Sequence, residues 1–311
     1  MKSSLHCLTH LWVLPFSLIL CLAISPITVA EESYIVVERH SKRVLLAANS
    51  EQKVTIGSFS QLATAKVVLD WAELSGTPLS SMMVVPGGIS NSGLKNSLNL
   101  QMGDRISIRD ALYSVSLIQD NSSALVLADY VGRHLLAKRG TRGNPYDAFT
   151  NEMNNLAAVL KMISTRFKSP AGGLGNTKIS DLAKLAAYAL KTKGYDFYMK
   201  QNRRTVTVKR FSGVSQSLRL TSTNGLIGTM SISGLMIEGP NAVISADKNN
   251  VVRKLADGRA EITPRQLIVV NFGSTNRDVR TKQLITLGWQ YYEAWRVQGF
   301  PRSETGKEYL R

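Results

Sequence analysis

Gly57-Ser58-Phe59-Ser60-Gln61-Leu62-Ala63-Thr64-Ala65-Lys66-Val67-Val68-Leu69-Asp70-Trp71 reads as a short loop that runs into a buried helix. Small residues stand at its start and a continuous apolar run follows. Leu62, Ala65 and Leu69 recur at helical spacing, and Gly76 is placed to stop the helix. Ser58 sits at the mouth of that helix, a position from which a hydroxyl can act as a nucleophile if a base stands beside it. Its neighbour Gln61 is a neutral amide and argues against that role.

Working outward, residues 33–38 and 43–47 are strand-like, and His40-Ser41-Lys42 can make the turn of an opening hairpin. Residues 48–55 read as a polar loop. Residues 82–85 form a short strand ended by Pro86-Gly87-Gly88, and 87–104 are a Gly-, Ser- and Asn-rich surface loop. Helical patterns fill the middle: 108–117 and 122–136, separated by Gln119-Asp120-Asn121, then 146–162 with Phe149, Met153, Leu156 and Leu160 on one face. Ser169-Pro170-Ala171-Gly172-Gly173 is a tight loop. Another helix follows to about residue 191, with Ser180 or Asp181 as N-cap. The last third turns to strands at 205–209, 215–220, 242–245 and 266–272. The final helix, 278–297, carries Leu284, Leu287, Tyr291 and Trp295 as its apolar stripe. Strands at both ends and helices between predict an α+β fold. One antiparallel sheet is shared by the two chain ends and flanked by helices, with an inserted helical lobe. The cleft between sheet and lobe is the natural site.

The chain has 311 residues with 44% hydrophobic composition, enough for one large domain or two small ones. Residues 1–30 read as a signal peptide: Lys2 in the n-region, an apolar run from Leu11 to Ile24 broken by Pro15, and Thr28-Val29-Ala30 before Glu31-Glu32. An uncleaved anchor is the alternative, although the run is short for a spanning helix. Export to the periplasm or cell envelope follows, with a place peripheral to the membrane as one option. Cys7 and Cys21 both lie in the leader, so the mature chain needs no disulfide. The net charge is +16, and Lys2 is the only charged residue of the leader. Such an excess implies an anionic partner, here an anionic envelope polymer before nucleic acid, since no basic–aromatic motif accompanies it. The densest cations, Lys200, Arg203, Arg204, Lys209, Arg210 and Arg219, read as a solvated strand face. His40 and His134 are isolated, so no metal site is expected, and no cofactor either.

The order of elements resembles the serine D-alanyl-D-alanine carboxypeptidases of the low-molecular-mass penicillin-binding-protein type. The resemblance covers roughly residues 33–297. Its most specific piece is Phe149-Thr150-Asn151-Glu152-Met153-Asn154-Asn155-Leu156-Ala157, continuing through Leu160-Lys161-Met162 and Thr165-Arg166-Phe167-Lys168-Ser169-Pro170-Ala171-Gly172-Gly173-Leu174. Residues 49–53 and 100–112 resemble the approaches to that family's first and second motifs. The resemblance implies one transpeptidase-like domain at 31–300, a polar tail at 301–311 and no C-terminal β domain.

Three motifs carry that family's chemistry. In Ser-x-x-Lys the spacing is almost one helical turn, which puts an amine beside the hydroxyl it deprotonates. Here the motif reads Ser58-Phe59-Ser60-Gln61, and an amide replaces the lysine. Lys66 lies more than two turns on. Ser-x-Asn becomes Gln119-Asp120-Asn121: the asparagine remains, either to bind a peptide backbone or as a plain helix N-cap. Lys-Thr-Gly aligns with Ile232-Ser233-Gly234, which keeps a hydroxyl and the glycine and loses the charge. Ser245-Ala246-Asp247-Lys248 resembles a family stretch whose basic residue helps bind the substrate's terminal carboxylate, so Lys248 either keeps that role or is a plain surface lysine at a strand end.

Two lysines and a serine are therefore missing from a proton-transfer unit whose members do not act additively. The expected function is a degenerate homologue that binds peptidoglycan stem peptides or an envelope protein partner. The alternative is a working carboxypeptidase with Ser58 acylated, using water or Lys66 as base. A purely structural protein with no ligand in the cleft is the third class.

Overall fold

The computed structural model describes residues 32–90, 92–173, 175–301 and 308–310. The expected signal peptide and most of the expected polar tail lie outside the described residues. Apolar runs at the two chain ends pair into one antiparallel sheet, in the order β2 (Val44–Ala48), β1 (Ser33–Glu38), β11 (Ala260–Phe272), β10 (Asn241–Lys254), β9 (Ile232–Glu238). Successive strand residues point to opposite faces. Ile35, Val37, Val243, Ile268 and Val270 therefore enter the larger core, while Val36, Ile244, Leu267 and Val269 enter a smaller one.

The larger core is built on helices α1 (Ser60–Ser75), α2 (Ile108–Ile118), α3 (Asn121–Arg139), α4 (Pro145–Val159), α5 (Ile179–Ala189) and α6 (Tyr195–Met199). In α1, Leu62, Val68 and Leu69 are buried and each contributes about 2 kcal/mol to the fold. Gly76 ends the helix at φ 68, the left-handed conformation that a glycine C-cap supplies. The smaller core lies under α7 (Arg277–Val297). Among the described residues no helix is long and apolar enough to cross a membrane.

The expected apolar stripe of α7 is half right. Leu284 and Trp295 are buried, but Leu287 and Tyr291 are exposed. The buried face runs instead through Thr281, Ile285, Gly288, Trp289 and Tyr292. Gly288 sets it: a Cβ there would lie 2.7 Å from Val36 Cγ1, so the helix touches the sheet at that point.

A second sheet was not foreseen. It orders β4 (Met82–Val84), β5 (Arg105–Ser107), β7 (Arg203–Lys209) and β8 (Ser215–Thr221), and a separate pair joins β3 (Lys53–Thr55) to β6 (Asn176–Lys178). The three-residue strands are too short to show a period. Of the expected cationic strand face, Arg210 is a structural pin, bonded to the buried Asp104 at 2.7 Å and to Leu98 O at 3.0 Å. Arg204 stacks over Tyr113, and Lys200 pairs with Asp196 and Asp247.

Candidate active site

Ser58 is the middle residue of a 3-10 turn, Gly57–Phe59, that feeds directly into α1. Gly57 has φ +54, and a Cβ on it would lie 2.3 Å from Glu238 Oε2, so both backbone and space require glycine. The carboxylate that crowds Gly57 grips Ser58 at two points. The Ser58 hydroxyl donates to Glu238 Oε1 at 2.7 Å and the Ser58 backbone N–H donates to Glu238 Oε2 at 2.9 Å.

One turn further, Gln61 is fully buried. Its Nε2 donates to Ala171 O at 2.9 Å and meets the Asn121 side-chain amide at 2.9 Å. Gln61 Oε1 is buried without a hydrogen-bond partner among the described residues. The tight loop at 169–173 makes this enclosure. Thr64 Oγ1 donates to Pro170 O at 2.7 Å, and a Cβ on Gly172 would approach Gly57 O to 2.8 Å, so the loop lies flat against the serine turn.

Asn121 is the first residue of α3 and is not its cap. Asp120 is the N-cap, accepting from Ser123 N at 2.8 Å and Ser123 Oγ at 2.7 Å. This separates the two tasks that the sequence left open at Gln119-Asp120-Asn121 and frees the Asn121 amide for Gln61. Gln119 stands at φ 48, with Oε1 accepting from Thr223 Oγ1 at 3.0 Å. Its side chain ties the lobe to the segment before β9.

Ser58, Gln61 and Asn121 are thus brought together. Ser233, Gly234 and Lys248 are engaged elsewhere. Ser233 Oγ donates to Ser245 O at 3.2 Å. Gly234 presses on the end of α6, where a Cβ would meet Met199 O at 2.2 Å. Ile232, aligned with the family lysine, is buried in the core under α7. Glu238, four residues past Gly234, lies about 13 Å further along the strand at extended rise. The strand position facing Ser58 is therefore Glu238. Lys248 lies over Trp289 of α7, 4.8 Å from the ring centroid, on the sheet face away from α1. Lys66 is buried, paired with Asp70 and stacked over Tyr188 at 4.8 Å. It stands about 12 Å along the helix from Ser58, by helical rise.

Glu238 was missed. Its one sequence signal was a lone acid closing an apolar strand ahead of Gly239-Pro240. Among the described residues no group of His, Asp and Glu is arranged to hold a metal ion. Chemically, the site offers a hydroxyl and a backbone donor at a helix mouth, both taken by a carboxylate, beside a neutral amide pair.

Comparison with known proteins gives a consistent picture. A family model described as D-alanyl-D-alanine carboxypeptidase matches residues 22–239. A D-alanyl-D-alanine endopeptidase of Pseudomonas aeruginosa is 28% identical over 201 residues, 64% of this chain and 59% of that protein. A D-alanyl-D-alanine carboxypeptidase of a Streptomyces species is 26% identical over 190 residues, 58% of this chain and 62% of that protein. The chain spans about three-fifths of the length of these curated relatives. The crystal structure of a Streptomyces DD-transpeptidase matches with a TM-score of 0.66 at 22% identity, covering 84% of this chain and 96% of the other. At that identity the likeness establishes the transpeptidase-like fold and nothing finer.

Proposed function

Because the chain belongs to the D-alanyl-D-alanine carboxypeptidase family, we propose that it binds peptidoglycan stem peptides in the cell envelope and turns them over poorly or not at all. The observation that carries this reading is Gln61. It stands where the proton-accepting amine would stand, buried and bonded to Ala171 O, and an amide does not take a serine proton near neutral pH. Glu238 supports it. Acylation needs a peptide carbonyl oxygen on preorganised donors, and the Ser58 N–H already serves a carboxylate. Lys66 offers no substitute base, since Asp70 and Tyr188 hold it two turns away.

The second reading is an active carboxypeptidase, favoured by one contact: the Ser58 hydroxyl donates to Glu238 at 2.7 Å, so an acceptor for its proton is in place. Carboxylates are far weaker bases than amines, which makes this a slow route.

A fluorescent penicillin separates the two. The expected result is no stoichiometric covalent band from the natural chain, and a band from Gln61→Lys combined with Glu238→Ala. A stoichiometric band from the natural chain that disappears in Ser58→Ala overturns the impaired reading. Calorimetry with a D-Ala-D-Ala peptide tests the binding half, and an absence of saturable heat overturns it.

A further inference from the structure

At the far end of β1 from the Ser58 turn, a pocket of about 400 Å³ is lined by Arg39, Lys42, Lys161, Lys184 and Lys191. No acidic residue lines it. The cations come from three places: the turn after β1, the turn after α4, and α5 with the turn that follows it. Their convergence is therefore a product of the fold. Among the described residues the ammonium groups of Lys42, Lys161 and Lys191 have no hydrogen-bond or ion-pair partner. Lys184 is paired with Asp181 at 2.8 Å and also donates to Lys161 O at 3.1 Å. Arg39 donates to Gln266 Oε1 at 2.8 Å. The remaining wall is apolar: Leu160, Ala187, the Tyr188 ring and Leu310.

Like charges gathered this way repel one another, and a multiply charged anion offsets that cost. Burial holds the neighbouring His40 imidazole below its ordinary value; Arg39 and Lys191 act in the same direction, while Glu38 and Asp247 pull the other way. Burial likewise disfavours the charge on Arg39. Ammonium groups act as compact point charges, which suit a multiply charged anion such as phosphate, and Arg39 adds a guanidinium that can meet phosphate oxygens.

We propose that this pocket binds a phosphate-bearing ligand with at least two negative charges, either a soluble phosphate compound or a lipid headgroup. The pocket shares no residue with the Ser58 site, so this inference and the stem-peptide reading stand or fall separately.

The test uses inorganic pyrophosphate by calorimetry and cardiolipin vesicles, whose headgroup carries two phosphates, by co-sedimentation, both with the purified full chain. The variant Lys161→Gln/Lys191→Gln removes two unpaired charges on exposed side chains. Arg203→Gln/Arg219→Gln removes the same charge from the second sheet and serves as control. The expected result is saturable binding of at least one probe, weakened about tenfold or more by the pocket variant, as two lost charge-assisted contacts require. The control should stay within about twofold, as distant screened charges do. Binding of pyrophosphate identifies a soluble ligand, and binding of vesicles alone identifies a headgroup. Equal weakening by both variants, or no saturable binding of either probe, overturns the proposal.

Discussion

Glu238→Ala is the perturbation with the clearest arithmetic. The substitution removes two hydrogen bonds from a carboxylate to Ser58, at 2.7 and 2.9 Å. Bonds to a charged group contribute about 1.5–3 kcal/mol each, and Glu238 is only partly buried, so solvent recovers part of this. A net loss of about 1–3 kcal/mol is expected, which lowers Tm by roughly 2–8 °C for a domain of this size. Binding of a D-Ala-D-Ala peptide should move the other way. The freed N–H and hydroxyl can serve the ligand, and a negative charge no longer faces its carboxylate. One or two recovered hydrogen bonds correspond to about tenfold tighter binding. Thermal unfolding and calorimetry on the same preparation read both effects. A variant that is less stable and binds more tightly supports Glu238 as an occupant of the peptide's own donors. An unchanged Tm together with unchanged affinity would refute the two-point grip.

Two predictions concern the frame around the site. Burial alone would raise the Asp104 carboxyl. Hydrogen bonds from Arg210, Gln101 N and Phe211 N, with the Arg210 charge, outweigh that and hold it below the ordinary carboxylate value. The stabilisation is therefore present above about pH 4, the unfolded range, and is lost as pH falls through the depressed folded value. Asp104→Asn should cost about 2–3 kcal/mol at neutral pH in urea unfolding, with the gap to the natural chain narrowing in acid; a gap that widens in acid contradicts the assignment. Gly132→Ala places a Cβ 2.0 Å from Pro145 O, where α3 crosses the start of α4. It should destabilise by about 1–3 kcal/mol despite the better helix propensity of alanine, and a stabilised variant in the same assay would show that the helices are further apart.

The long elements were legible because their periods repeat over several turns or residues. The helices at 60–75, 108–118 and 121–139 and the terminal strands of one shared sheet fall where apolar spacing put them. The short strands β3, β5 and β6 were not, since three residues carry no period and their pairing is with distant segments. Register was also beyond the sequence. Matching Ile232-Ser233-Gly234 to a motif located the right strand and the wrong part of it, because which strand residue meets Ser58 depends on how β9 pairs with β10 and how far α6 presses on Gly234.

Ser58 and Gln61 show the division most plainly. Their identities and one-turn spacing are a property of the local chain, so sequence alone determined that a serine stands at a helix mouth with an amide in place of an amine. What surrounds that pair is assembled from residues far apart in the chain: Asn121 from the lobe, Ala171 O from the loop at 169–173 and Glu238 from the edge strand. Only the tertiary structure could decide that the serine's free donors face a carboxylate, because that contact joins residues 180 apart in sequence.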